Sequence, residues 1–234
     1  MKKELINLAN KINVNLNNDM VDKFFIYKDM LKEWNEKINL TAITEDKEII
    51  LKHFIDCLTI EKYIPKDVTV IDVGTGAGFP GIPLKIVRED ISLTLLDSLN
   101  KRLLFLDSVK QFLKLEKTKI VHGRAEDSGR NFAFREKYDV ATARAVANLN
   151  VLAEYCLPFV KIGGLFICMK GNNIEEVENA KKAIEKLGGK IEKIEKIYLP
   201  DSDIERNIII IRKFKDTPKE FPRKAGVPSK KPIK

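Results

Sequence analysis

Between residues 18 and 39 the apolar side chains Phe24, Tyr27, Leu31, Trp34 and Ile38 recur at alternating spacings of three and four, which places them on one stripe of a helix. Such a stripe needs a surface to cover it. Asn17, Asn18 and Asp19 stand where an N-cap is wanted, and a second amphipathic helix is expected over residues 46–63. Together these predict a small helical N-terminal extension, residues 1–64. From Val68 the period changes. Short β-rich runs alternate with helical stretches: VTVIDV, a helix from about Pro80, SLTLLD, a helix from about Asn100, then TKIVHG, YDVATAR and GGLFICMK. This alternation predicts an α/β domain over 65–213, with a mostly parallel sheet and crossover helices. A helix over 174–187 is closed by Gly188 and Gly189, and beyond it KIEKIEKIYL and RNIIIIRK are separated only by PDSDIE, too short for a parallel crossover. The last two runs should therefore pair as a hairpin, giving a seven-stranded sheet whose last strand is antiparallel.

The chemistry concentrates after the first strand run. Residues 70–84 read VIDVGTGAGFPGIPL, an apolar run that breaks into a glycine-rich turn with Asp72 two residues before the first glycine. Gly74, Gly76 and Gly78 remove side chains where backbone must turn tightly and lie close to a ligand, and Pro80 suits the first turn of the helix that follows. The segment resembles the strand-to-loop S-adenosylmethionine (AdoMet) site of class I methyltransferases. Gly76 to Gly81 also satisfies the dinucleotide pattern G-x-G-x-x-G, and Asp97 lies near the distance expected of a ribose-binding acid, so the loop by itself leaves a nicotinamide-dependent oxidoreductase open. The closing hairpin weighs against it. Class I methyltransferases end that way, whereas dinucleotide-binding domains usually end in parallel strands.

Composition narrows the setting. The 234 residues, 44% of them apolar, suffice for one main core with a modest extension. No apolar run approaches the roughly 20 residues that span a bilayer, and the N-terminal MKKELINLANKIN builds no signal-peptide core, so a cytoplasmic protein without a membrane partner is expected. Cys57, Cys156 and Cys168 form no close pair and sit among apolar residues, which suits reduced, buried thiols better than disulfides or a metal site. The net charge of +8 is uneven: residues 212–234 hold nine Lys/Arg against two acids, +7 in that stretch. The basic tail, 214–234, with FPRKAGVPSKKPIK at its end, reads as an extended phosphate-contacting arm or as a solubilising, disordered terminus.

Several separate stretches together resemble one family, the bacterial small-subunit ribosomal RNA guanine-N7 methyltransferase G, also called glucose-inhibited division protein B. They are WNEKINLTAI at 34–43, HFIDCL at 53–58, DVGTGAGFPGIPL at 72–84, GRAED at 123–127, ATARAVANL at 141–149 and FPRKAGVPSKKPI at 221–233. Cys57 stands where the family leads one to expect serine. The resemblance implies methyl transfer from AdoMet, leaving S-adenosylhomocysteine, to N7 of a guanosine in the decoding region of 16S rRNA, with the rRNA or the small subunit as partner and the enzyme acting as a monomer without metal. It implies that Gly74 and Phe79 frame the methionine end of AdoMet, that Gly76 and Gly78 bind the cofactor within the same loop, that Ala125 and Glu126 meet the adenine, and that Arg144 lies at cofactor or substrate. Asp97, at the end of LTLLD, is placed to accept the ribose hydroxyls, with a helix N-cap as the competing role. Asp72 is read as ordering the loop.

N7 carries a free lone pair and loses no proton on methylation, so no general base is called for and no catalytic residue is assigned beyond a positioning role for Arg144. The chain has neither the D/N-P-P-aromatic motif of amino-group methyltransferases nor a Pro-Cys setting of cytosine-C5 enzymes. His53 and His122 read as structural, and Lys170 and Gly171 line the substrate side. Arg223, Lys224, Lys230 and Lys231 are the expected rRNA phosphate contacts. A noncatalytic RNA-binding module on the same fold stays open beside the oxidoreductase.

Overall fold

A computed structural model describes residues 1–144, 147–171 and 175–234. Ala145 and Val146 of ATARAVANL, and the expected helix start at Ile174, lie outside the described residues. The sheet has seven strands: β1 Thr69–Val73, β2 Ser92–Asp97, β3 Thr118–His122, β4 Tyr138–Arg144, β5 Val160–Lys170, β6 Gly189–Tyr198 and β7 Glu205–Lys213. Their order is β3-β2-β1-β4-β5-β7-β6, and β7 runs antiparallel to both of its neighbours, β5 and β6, while the other pairings are parallel. The central strands are apolar on both faces because helices cover both, which is why their sequences run continuously hydrophobic rather than alternating. β6 lies at an edge, and its exposed Lys and Glu positions discourage further strand pairing.

One core holds the N-terminal helices Lys2–Lys11 and Asn18–Ile38 and the helices Gly81–Val87 and Asn100–Phe112 against the sheet; the other holds Leu149–Cys156, the Glu175–Lys186 helix and part of the C-terminal segment. The aromatic stripe of Asn18–Ile38 does what its spacing demands. Phe24, Tyr27 and Leu31 are fully buried, and each such side chain contributes roughly 1.5–3 kcal/mol. Asn17 caps this helix by accepting from the Met20 amide at 2.8 Å.

Three expectations need correction. The Lys2–Lys11 helix was not anticipated, although Leu5, Leu8 and Ala9 bury one face of it, because its short, lysine-rich stretch reads as simple alternation. The helix expected over 46–63 is interrupted. A π-helical turn, Ile49–Ile55, occupies its middle, and after Leu58 the chain continues only as a 3₁₀ turn at Glu61–Tyr63. The basic tail is not an extended arm. Phe221, Pro222, Pro228 and Ile233 are buried against the domain, because apolar residues among its charges have a core to cover.

Candidate cofactor and nucleotide site

β1 and β4 are neighbours, and the connections leaving them run to opposite sides of the sheet, so a crevice opens at their carboxyl ends. The glycine loop fills the β1 side. Gly74, Gly76 and Gly78 have φ of +70°, +62° and +97°, a region in which a side chain is strained. Asp72 organises the turn from beneath, its Oδ2 accepting from Thr75 Oγ1 at 2.6 Å and from the Gly81 amide at 2.9 Å. Burial pushes this carboxyl up to about 6 against the pull of those donors. From the N-terminal helix, the buried Tyr27 hydroxyl donates to the Ala77 carbonyl. A Cβ on Gly78 would lie 2.5 Å from Ile82 Cδ1 and 2.9 Å from the Tyr27 oxygen, whereas one on Gly76 would meet nothing within 4 Å. The loop thus turns one glycine to the protein and one to open space.

Asp97 closes β2, almost fully buried. Its Oδ2 accepts from the Gly76 amide at 2.9 Å and its Oδ1 from the Leu99 amide at 2.9 Å, with Arg102 Nη1 at 3.3 Å. The carboxylate therefore ties the glycine loop to the start of the following helix, and one lone-pair site on Oδ1 is left for a ligand. Ala125 and Glu126 open the short Ala125–Arg130 helix after β3. Glu126, buried, accepts from the Gly226 amide at 2.8 Å.

On the β4 side, Arg144 is held by three neighbours. Its Nη1 donates to the Lys52 carbonyl at 3.0 Å and lies 3.4 Å from Asp56 Oδ2, while Nη2 donates to His53 Nδ1 at 3.0 Å. The guanidinium lies over Phe79, 4.8 Å from the ring centroid, and His53 stacks on the same ring at 4.4 Å. With Nδ1 accepting, His53 carries its proton on Nε2, which faces Thr41 Oγ1 at 2.8 Å. Burial, aided by the nearby Arg144 charge, pushes its pKa down to about 3, so the ring is neutral at physiological pH. Asp56 is buried and accepts from Arg206 Nε at 3.1 Å; desolvation raises its pKa, with both arginines opposing.

These groups surround two adjoining cavities that share Gly74 and Arg102. The smaller, about 240 Å³, includes Asp97, Ala125 and Glu126; the larger, about 620 Å³, includes Gly76, Phe79, His53 and Arg144. Lys170 and Gly171 also line the larger one, Lys170 pairing with Glu176 at 2.9 Å. Sequence reasoning missed Lys52, Arg102 and Arg206 here, and Tyr155, Gly226 and Ser229 in the smaller cavity. Arg102 carried a usable signal, standing five residues beyond Asp97 in the helix that follows it. The others are joined only by the tertiary fold. His122 is apart and exposed, near the Ser98 carbonyl. Of the expected phosphate contacts, Lys224, Lys230 and Lys231 are exposed, but Arg223 is turned inward onto the fully buried Glu154, with Nη2 to Oε2 at 2.6 Å and its own amide to Oε1 at 2.8 Å. A desolvated carboxylate needs that partner, and Arg223 is committed to it.

Residues 20–209 match the family described as GidB, rRNA small subunit methyltransferase G. The chain belongs to that family. A ribosomal RNA small subunit methyltransferase G of Acetivibrio thermocellus is 59% identical over 234 residues, all of this chain and 97% of the relative; its Clostridium tetani counterpart is 52% identical, covering 99% and 98%. As a member of the family, the chain is an AdoMet-dependent methyltransferase. The fold agrees: TYW2 of M. jannaschii in complex with AdoMet superposes with a TM-score of 0.56 at 15% identity, covering 75% of this chain and 79% of that one. A SAM-dependent methyltransferase of Aquifex aeolicus gives 0.53 at 16%, covering 72% and 94%. The site has the features AdoMet needs: an unobstructed glycine face at Gly76, an apolar ring at Phe79, and buried carboxylates at Asp97 and Glu126 on the cavity that continues from it.

Proposed function

We propose that this methyltransferase transfers the methyl group of AdoMet to N7 of a guanosine in the decoding region of 16S rRNA, the activity its family resemblance implies. Gly74 and Gly76 would hold the methionine end by close backbone approach, with Phe79 and Arg144 as walls. Asp97 would meet the ribose, and Ala125 and Glu126 the adenine. Gly78 would serve the loop's own turn. Residues 1–64 act as an extension that walls the nucleotide cavity through Thr41, Lys52 and His53; residues 65–213 hold the cofactor; and 214–234 present Lys224, Lys230 and Lys231 to RNA phosphates. Lys52, Arg102 and Arg206 line the larger cavity, each paired with an acid, Glu48, Asp97 and Asp56 in turn, so a phosphodiester there would share these cations with the carboxylates. The enzyme acts in the cytoplasm as a monomer; among the described residues no helix is long and apolar enough to cross a membrane.

AdoMet, when bound, supplies a methyl group already electrophilic on its sulfonium. The protein's task is alignment. One observation favours N7 over an acceptor that must lose a proton: His53 Nδ1 already accepts from Arg144, and Asp56 already accepts from Arg144 and Arg206, so both titratable acceptors facing the larger cavity are engaged. A reaction that requires no base tolerates that arrangement. Incubating the protein with AdoMet labelled in its methyl group and either protein-free 16S rRNA or assembled small subunits should place the label on N7 of one guanosine. Label on a ribose, a carbon or an exocyclic amine, or on neither substrate, would overturn the assignment.

A further inference from the structure

We infer that the basic C-terminal segment forms one wall of the adenosine pocket as well as an RNA contact, so that cofactor and RNA bind cooperatively through it. The inference rests on the reading above and adds residues that neither the glycine loop nor the family motifs assign to the cofactor. Beyond β7 the chain is pinned back across the domain at successive points. The fully buried Lys213 donates to the Leu157 carbonyl and to Thr217 Oγ1, each at 2.7 Å. Arg135 Nη1 donates to the Phe221 carbonyl at 2.7 Å, Arg130 Nε to the Pro222 carbonyl at 2.6 Å, and Arg223 grips Glu154. The pins deliver Gly226 and Ser229 to the smaller cavity, where they face Asp97, Glu126 and Tyr155.

The contact that joins the two functions is the bond from the Gly226 amide to Glu126 Oε1, 2.8 Å long and made by a carboxylate only 5% exposed. Glu126 is thereby a member of both the pocket and the segment. Lys224 precedes Gly226 by two residues and Lys230 follows Ser229 directly, both exposed. A phosphate held by these lysines and a nucleoside in the pocket bear on the same short pinned stretch, one from its exposed side and the other through the Gly226–Glu126 bond. Because linkage is reciprocal, each ligand must tighten the other by one common factor.

The test uses the full chain, S-adenosylhomocysteine as the cofactor probe and 16S rRNA as the RNA probe. Ser229 is exposed, and Ser229→Phe projects a ring into the cavity; the variant should bind S-adenosylhomocysteine at least about ten-fold more weakly at an unchanged melting temperature. For the wild type, saturating S-adenosylhomocysteine should raise RNA affinity at least about five-fold, and that gain should disappear in Ser229→Phe and shrink in the Lys224→Ala, Lys230→Ala double variant. If Ser229→Phe unfolds, Ser229→Glu, which sets a charge beside Glu126, replaces it with the same expectation. Equal cofactor affinity in wild type and variant would overturn the wall, and RNA affinity indifferent to S-adenosylhomocysteine would overturn the coupling. A wild type that binds no S-adenosylhomocysteine would instead overturn the cofactor site itself.

Discussion

Gly76 and Gly78 stand two residues apart with positive φ, yet a side chain meets opposite surroundings at each. At Gly78 it runs into Ile82 and Tyr27, so Gly78→Val should lower stability by a few kcal/mol, on the order of 1–3 for overpacking with further backbone strain, and lose AdoMet binding through damage to the loop. The Tyr27 contact, which no local pattern reveals, ties this position to the packing of the domain. Gly76→Ala should cost only about 1–2 kcal/mol for its left-handed backbone and weaken AdoMet binding from the open side. Thermal melts and AdoMet titration of the two variants separate these outcomes; a stable Gly78→Val would contradict the packing.

His53 gives a pH signature. Its folded pKa, about 3, lies below the ordinary 6.5, so the unfolded chain binds the proton more readily and the stability held above pH 6.5 is lost as pH falls toward 3. By pH 5 the wild type should have lost about 2 kcal/mol more than His53→Gln, at ~1.4 kcal/mol per pH unit. Parallel stability curves for the two proteins between pH 7 and 5 would show that the ring is not held neutral.

At the scale of elements, the π-helical turn Ile49–Ile55 brings His53 to the cleft while Phe54 enters the core beside Phe24 and Tyr27. A regular helix over the expected span would shift that register. The C-terminal segment is the larger surprise, since its charge and prolines signalled an arm and its fold is a strap. Truncation after Ile211, on the arm reading a change that spares AdoMet binding, should instead destabilise the whole domain, because it removes the buried Lys213, Thr217 and Phe221 together. Arg223→Ala is a milder form of the same test. It leaves Glu154 buried without its guanidinium, for which about 3 kcal/mol is expected. Denaturant melts of both proteins check this, and wild-type stability in either would restore the arm.

Across the whole molecule, what was legible was whatever repeats locally. Short β-rich runs separated by helical stretches marked the strands, the spacing of three and four marked the aromatic helix, and a six-residue gap marked the closing hairpin. The Leu149–Cys156 helix escaped because it is buried nearly all round and shows no polar face to set a period. The candidate cofactor residues could be named in advance, since a glycine turn and strand-end acids leave a trace in one stretch of sequence. Their partners could not. Arg144 meets Lys52 and His53 across about 90 residues of chain, and Glu126 meets Gly226 across 100.

On this reading the fold modifies N7 of one guanosine in small-subunit rRNA. Mass mapping of 16S rRNA from cells with and without this protein tests it most directly. The mapped fragment should carry one 7-methylguanosine in the decoding region when the protein is present and an unmodified guanosine when it is absent, with the methyl group restored by the wild-type chain. Identical methylation in the two rRNAs, or a lost methyl group that maps to another atom or another base, would contradict it.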